Sequence, residues 1–312
     1  MSESIEPPVI LTTSSAAANK KPGRPKKNII SDTAIFKGLI TTPYLSTNVM
    51  ELIYSDPKLF KKIINILKGY FVDEVFIEFT KETIYIYAID NTKNNEIKIE
   101  LNCHKLNEYY CVKDFEICVK REYLEKVFNT IDKQYNKIIF YSEQDNYNSV
   151  LYIIILNEEL GINDTYEIDL CLKNNTILSR KYFDVDKDNY KIQFRSNSKS
   201  FKKFINDNVF NTKLLIIEKF GLEELKFKLS INNKVNFVRT FLDDKNFSIK
   251  SSVEPSELFN IQVKIDAIKP FSNTSLSNFV TIYLDTNKKI IFESKSEDEL
   301  CTVVIFSSPY YI

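Results

Sequence analysis

The chain has 312 residues, with 42 basic and 42 acidic side chains, one His and five Gly. A 44% apolar content with 23 Phe and 18 Tyr fills a core and excludes a disordered chain, and the length predicts two domains. The scarcity of glycine excludes glycine-lined phosphate loops, no apolar run reaches the ~18 residues of a membrane helix, and zero net charge argues against a general polyanion binder.

Residues 1–44 hold Pro7, Pro8, Pro22, Pro25 and Pro43, a Ser/Thr/Ala stretch and no sustained periodicity, which predicts a disordered basic tail rather than a signal peptide. Within it, Lys20-Lys21-Pro22-Gly23-Arg24-Pro25-Lys26-Lys27 looks like an AT-hook. Arg24 suits a narrow A·T minor groove, and Lys20, Lys21, Lys26 and Lys27 suit the flanking phosphates. The same residues fit a nuclear-localisation patch or a solubilising tail. The five Cys form no C-x-x-C pair, and a start that does not read as a signal peptide predicts a reducing compartment.

From residue 45 the pattern turns to strands and short helices. Asp56 caps a helix over 56–69 with Pro57 at its first position, and Leu59, Phe60, Ile63, Ile64 and Leu67 form its apolar stripe. Strands are predicted at Val75–Phe79, Ile84–Ile89, Ile138–Tyr141, Val150–Leu156 and Tyr166–Leu170. Between them, Lys120–Lys133 reads as a helix with Tyr123, Leu124, Val127, Phe128 and Ile131 on one face. A polar, charged connector follows over 173–188. Beyond it come a helix at Ser196–Asn208 and strands at Leu214–Glu218, Leu225–Ile231, Val235–Phe241 and Phe259–Val263. The segment Lys264–Ser272 predicts a short helix limited by Pro270. Phe279–Leu284, Lys289–Glu293 and Thr302–Phe306 close the series. Strands without long intervening helices predict antiparallel sheets and an α+β fold.

The chain repeats itself. Phe60-Lys61-Lys62-Ile63-Ile64-Asn65 recurs as Phe201-Lys202-Lys203-Phe204-Ile205-Asn206, and Phe115-Glu116-Ile117-Cys118-Val119-Lys120 recurs as Phe259-Asn260-Ile261-Gln262-Val263-Lys264. Two matches in one order at nearly the same separation predict two copies of one unit, over 45–172 and 189–312. The predicted helices are basic and the remainder acidic. Lys58, Lys61, Lys62 and Lys68 lie opposite the first apolar stripe; Lys120, Arg121 and Lys126 mark the second helix, Lys199, Lys202 and Lys203 the third, Lys264 and Lys269 the fourth. Gathered on one side of the sheets, they predict a surface for a phosphate backbone.

The duplicated unit, Leu59-Phe60-Lys61-Lys62-Ile63-Ile64-Asn65-Ile66-Leu67-Lys68 and Phe259–Ile265 together resemble the PCNA family of DNA sliding clamps, including the PCNA-like proteins of large DNA viruses. The resemblance covers about residues 45–312. It places channel lysines at Lys61, Lys62, Lys68, Lys126, Lys203 and Lys269. It implies a duplicated clamp subunit with antiparallel sheets outside and helices lining a channel, closing as a homotrimer around double-stranded DNA. Subunits would join edge to edge, through Tyr166, Ile168 and Leu170 of one and Val235, Phe237 and Arg239 of the next. It further implies a processivity role for a viral DNA polymerase, other replication or repair partners, and work in a cytoplasmic viral factory and the nucleus. Clients would meet Ile177 and Leu178 of the connector and the Pro309-Tyr310-Tyr311-Ile312 end.

Catalysis is not expected, and no cofactor, metal or membrane partner is. His104 is the only His, and Cys103, His104 and Cys111 lack zinc spacing. No phosphate-loop, nucleophile-elbow or dinucleotide motif occurs. Two alternatives stay open: a clamp-fold scaffold for viral late transcription, and a monomeric AT-hook DNA-binding protein.

Overall fold

The computed structural model describes residues 47–171, 183–208, 213–220, 224–231, 235–242, 247–272 and 276–310. The first unit runs β1 (Asn48–Tyr54), α1 (Lys58–Gly69), β2 (Glu74–Phe79), β3 (Thr83–Ile89), β4 (Asn95–Asn102), β5 (Glu108–Cys111), β6 (Phe115–Lys120), α2 (Arg121–Phe128), β7 (Lys137–Glu143), β8 (Val150–Asn157) and β9 (Ile162–Asp169). The second repeats that order: β10 (Ile192–Asn197), α3 (Ser198–Asn208), β11 (Leu214–Lys219), β12 (Leu225–Ile231), β13 (Val235–Phe241), β14 (Phe247–Ser251), β15 (Phe259–Lys264), α4 (Ile265–Ser272), β16 (Phe279–Leu284), β17 (Ile290–Lys295) and β18 (Cys301–Ser307).

Every strand pair is antiparallel. The first unit makes a five-stranded sheet in the order β5-β1-β7-β8-β9, and the second a four-stranded sheet in the order β13-β12-β11-β15. A nine-stranded sheet, β14-β10-β16-β17-β18-β4-β3-β2-β6, is shared by both units. Its seam is β4 against β18, where Ile97 faces Ile305 and Ile99 faces Val303. The five-strand half of the second unit thus docks on the four-strand half of the first. Their counterparts end in open edges, β9 and β13.

Alternation decides which face is inside. Val75, Ile77 and Phe79 of β2 and Ile84, Ile86 and Ala88 of β3 join one core with the buried faces of all four helices. Phe76, Tyr85, Tyr87, Cys118 and Phe306 point the other way and form a second cluster under Phe183. The helices therefore lie on one side of the sheets and the connector's end on the other.

Helix starts follow capping chemistry. Asp56 Oδ1 accepts from the Lys58 amide at 3.1 Å, and Asn197 Oδ1 accepts from the Lys199 amide at 3.0 Å. The second helix stops at Phe128, short of the expected Lys133: Thr130 Oγ1 donates to the Val127 carbonyl at 2.7 Å and closes the last turn. β9 begins four residues before its expected start and ends at Asp169, so Leu170 lies just past the strand. β1, β4, β5, β6, β10 and β14 are strands that alternation alone had not marked, β6 having been singled out only by the repeat. In β1 and β4 the reason is buried charge: Glu51 accepts from Asn48 Nδ2 at 3.0 Å, and Lys98 pairs with Glu100 at 2.7 Å.

The two units also touch through their helices. Tyr70, fully buried after α1, donates its hydroxyl to the Ala267 carbonyl of α4 at 2.7 Å. A Cβ built on Gly69 would stand 2.8 Å from Pro270 Cβ. Gly69→Ala therefore loses about 1–2 kcal/mol net, because overpacking of about 1–3 kcal/mol outweighs the gain in helix propensity. A lowered urea midpoint checks this, and an unchanged one contradicts the close crossing.

Candidate nucleic-acid interface

Helix α1 packs on α2, α3 packs on α4, and α1 meets α4 across the unit boundary. The result is one row in the order α2, α1, α4, α3. Its sheet-facing side is apolar: Leu59, Phe60, Ile63 and Leu67 on α1, Leu124 and Phe128 on α2, Phe201 and Phe204 on α3, Ile268 and Phe271 on α4. Away from the sheets it carries exposed Lys58, Lys62 and Lys68 on α1, Lys126 on α2, Lys199 and Lys203 on α3, and Lys269 on α4. Lys120 and Lys264 are exposed at the ends of β6 and β15, in equivalent places directly before α2 and α4. Helix α1 contains no acidic residue.

Three expected cations are partly withdrawn from that surface. Lys61 Nζ donates to the Ile131 carbonyl at 2.7 Å, and Lys202 is half-buried. Arg121 is held by two partners, its Nε donating to the Val72 carbonyl at 2.7 Å and its Nη1 pairing with Glu125 one turn on. Lys68, still 57% exposed, pairs with the same Glu125 carboxylate. Lys68's hydrogen bond, and then Arg121, hold that carboxyl below its usual range. The sequence places Glu125 among the acids of the second helix, and its pairing with Arg121 and Lys68 is what the structure adds; the spacing of four from Arg121 was the available signal.

Next to Lys68 and Arg121, Phe71 is 77% exposed and takes a φ of 53°, a left-handed conformation costly for an aromatic residue. These three side chains line an open groove at the C-terminal end of α1.

Both expected joining strands stand at sheet edges. β9 places Tyr166 and Ile168 on the inward face of its sheet, and β13 contains Val235, Phe237 and Arg239. Ile177, Leu178 and the tail's Lys20, Lys21, Arg24, Lys26 and Lys27 lie outside the described residues.

The chemistry elsewhere is quiet. Burial pushes the Cys103 and Cys301 thiols up to about 12, which disfavours the thiolate a nucleophile needs. His104 is exposed in a short turn. The fold does bring together Glu74, Cys118 and Cys171, with ligand atoms within 4.8 Å of one another, a grouping that sequence spacing does not reveal. Among the described residues no fourth metal-ligating side chain joins them. No helix among the described residues is long and apolar enough to cross a membrane.

Comparison with known proteins agrees with this geometry. The family model for the N-terminal domain of proliferating cell nuclear antigen matches residues 49–178. An uncharacterized protein from a Malawi tick isolate of African swine fever virus is 25% identical over 281 residues, 88% of this chain and 93% of that protein. Its counterpart from a Kenyan pig isolate is 24% identical over 292 residues, 92% of this chain and 97% of that protein. The crystal structure of proliferating cell nuclear antigen from Entamoeba histolytica superposes with a TM-score of 0.69 at 14% identity, covering 85% of this chain and 100% of that one.

Proposed function

We propose that this PCNA-like clamp chain closes head to tail as a homotrimer, encircles duplex DNA with its helix row turned inward, and tethers a viral DNA polymerase to its template. The observation that carries the reading is a one-sided cationic helix row in a chain whose β9 and β13 stand at sheet edges while their counterparts, β18 and β4, pair within the chain. Twelve-residue α1 spans ~18 Å, facing about ten phosphates at one per ~1.7 Å of duplex. Contacts of that kind are independent of sequence. Closure then supplies the retention, and diffuse lysine contacts leave the ring free to slide. The role is mechanical and needs no catalytic group. Light scattering tests the assembly: the reading expects three times the 36.5 kDa subunit mass. A monomer at every concentration contradicts it.

The locked Glu125 makes a second test. Glu125→Gln releases Lys68 and Arg121 from their shared carboxylate. The logarithmic salt slope of duplex binding then steepens, by up to ~0.9 for each cation that gains a phosphate. An unchanged slope would show that neither cation faces DNA. The basic tail, in this reading, holds the chain on DNA before closure, so removing residues 1–30 weakens duplex binding at low salt. Equal binding without it removes that role.

A further inference from the structure

The two units can be overlaid residue by residue through their ladders. The repeat equates β6 with β15, Lys120 standing for Lys264. Lys120 faces Glu74 as Lys264 faces Leu214, so β2 maps on β11 with Ile77 on Ile217. Ile77 faces Ile86 as Ile217 faces Phe227. Ile86 in turn faces Ile99 as Phe227 faces Arg239. Arg239 is therefore the β13 counterpart of Ile99.

The other half is anchored on Leu52 and Phe194, buried core residues that each stand two positions after another, Met50 in β1 and Ile192 in β10. Leu52 faces Phe140 as Phe194 faces Ile282. Phe140 faces Ile153 as Ile282 faces Phe292, and Ile153 faces Tyr166 as Phe292 faces Ile305. This alignment also brings the starts of β9 and β18 into coincidence, Ile162 on Cys301, with Ile168 on Ser307 and β9 running one residue further. Asp164 is then the counterpart of Val303.

Within the chain, Val303 faces Ile99 across the seam. We infer that β13 of one copy pairs antiparallel with β9 of a second copy in that same register, so that Arg239 meets Asp164 where the internal seam has an apolar pair. The inference rests on the ring reading and specifies its joint. Tyr166 falls opposite Phe237, Ile162 opposite Phe241, and Ile168 opposite Val235.

The Arg239 guanidinium lies over the Phe204 ring at 5.3 Å and the Phe237 ring at 5.8 Å, on the inward face, and forms no ion pair among the described residues. Asp164 is held by the Tyr135 hydroxyl at 2.5 Å, also on the inward face. On the outer face, the register covers Val238 and Leu242, which are 46% and 53% exposed, with Thr165 and Gly161 of the second copy. The charged pair distinguishes this joint from the internal seam. A β13 edge carrying Arg239 is mismatched to a β18-like edge of valine and isoleucine, so copies join in one direction only.

Charge exchange tests the pair. Arg239→Asp and Asp164→Arg, each alone, weaken trimer assembly on the order of a hundredfold or more, because each leaves like charges in a desolvated joint. Asp164→Arg combined with Arg239→Asp restores a trimer by light scattering. Singles that assemble like the parent, or a double exchange that stays monomeric while its thermal midpoint matches the parent, overturn the register. Crosslinking reads the register independently of affinity: Asp164→Cys with Arg239→Cys gives disulfide-linked oligomers on mild oxidation, and Asp164→Cys with Phe237→Cys does not. Linkage through the second pair instead of the first also overturns the register. A parent protein that never leaves the monomer contradicts the ring reading itself.

Discussion

Changing Lys58, Lys62, Lys126, Lys199 and Lys203 together to alanine lowers duplex affinity at least about a hundredfold near 0.1 M salt and flattens the logarithmic salt slope by about three units or more. All five side chains are exposed on the helix row. None supports the core, so thermal stability stays within about 0.5 kcal/mol per site. Lys61 and Lys202 are left intact because one anchors the Ile131 carbonyl and the other is half-buried. The effect is large because, in the proposed ring, phosphate contacts multiply over three copies. It is non-specific, so the loss is equal for unrelated duplex sequences. An unaltered salt slope would mean that the row does not face DNA.

The second large effect is structural. Phe227 is fully buried at the centre of an aromatic cluster, 4.8 Å from Phe241, 5.4 Å from Phe194 and 5.7 Å from Phe204 between ring centroids. Phe227→Ala removes the shared partner of a helix and two neighbouring strands. The expected cost is about 3–5 kcal/mol, against a total of about 5–15 kcal/mol for a domain. The loss falls on the second unit, where β12 supports the β13 edge. Urea unfolding should show an early transition, with trimer mass lost ahead of it. A single unshifted transition would place the stabilising core elsewhere.

The repeat was legible because helix α1 and strand β6 keep their residue order in both copies. Segments under heavy packing constraint, such as Phe60–Asn65 and Phe201–Asn206, preserve the pattern that alignment needs. The helix row followed from it, while the two joining edges came from the family resemblance. What stayed hidden depended on tertiary partners. Glu51 and Lys98 break the alternation of β1 and β4, yet both are buried with hydrogen-bonded or charged neighbours. Arg121 read as a surface cation until Val72 and Glu125 were seen to hold it. Asp164 and Arg239 lie far apart in sequence, and only the two ladders overlaid show them to be matching positions. The Glu74, Cys118 and Cys171 grouping likewise joins three separate segments.

The central claim is enclosure, and topology tests it most directly. Protein assembled on nicked circular duplex by reassociation of dilute subunits, then challenged with high salt, should stay on the circle and leave within one sliding time when a restriction cut opens it. Loss of retention on linearisation, restored by blocking the free ends, is the predicted result. Equal retention on circular and linear duplex would contradict a ring threaded on DNA and leave surface binding as the account.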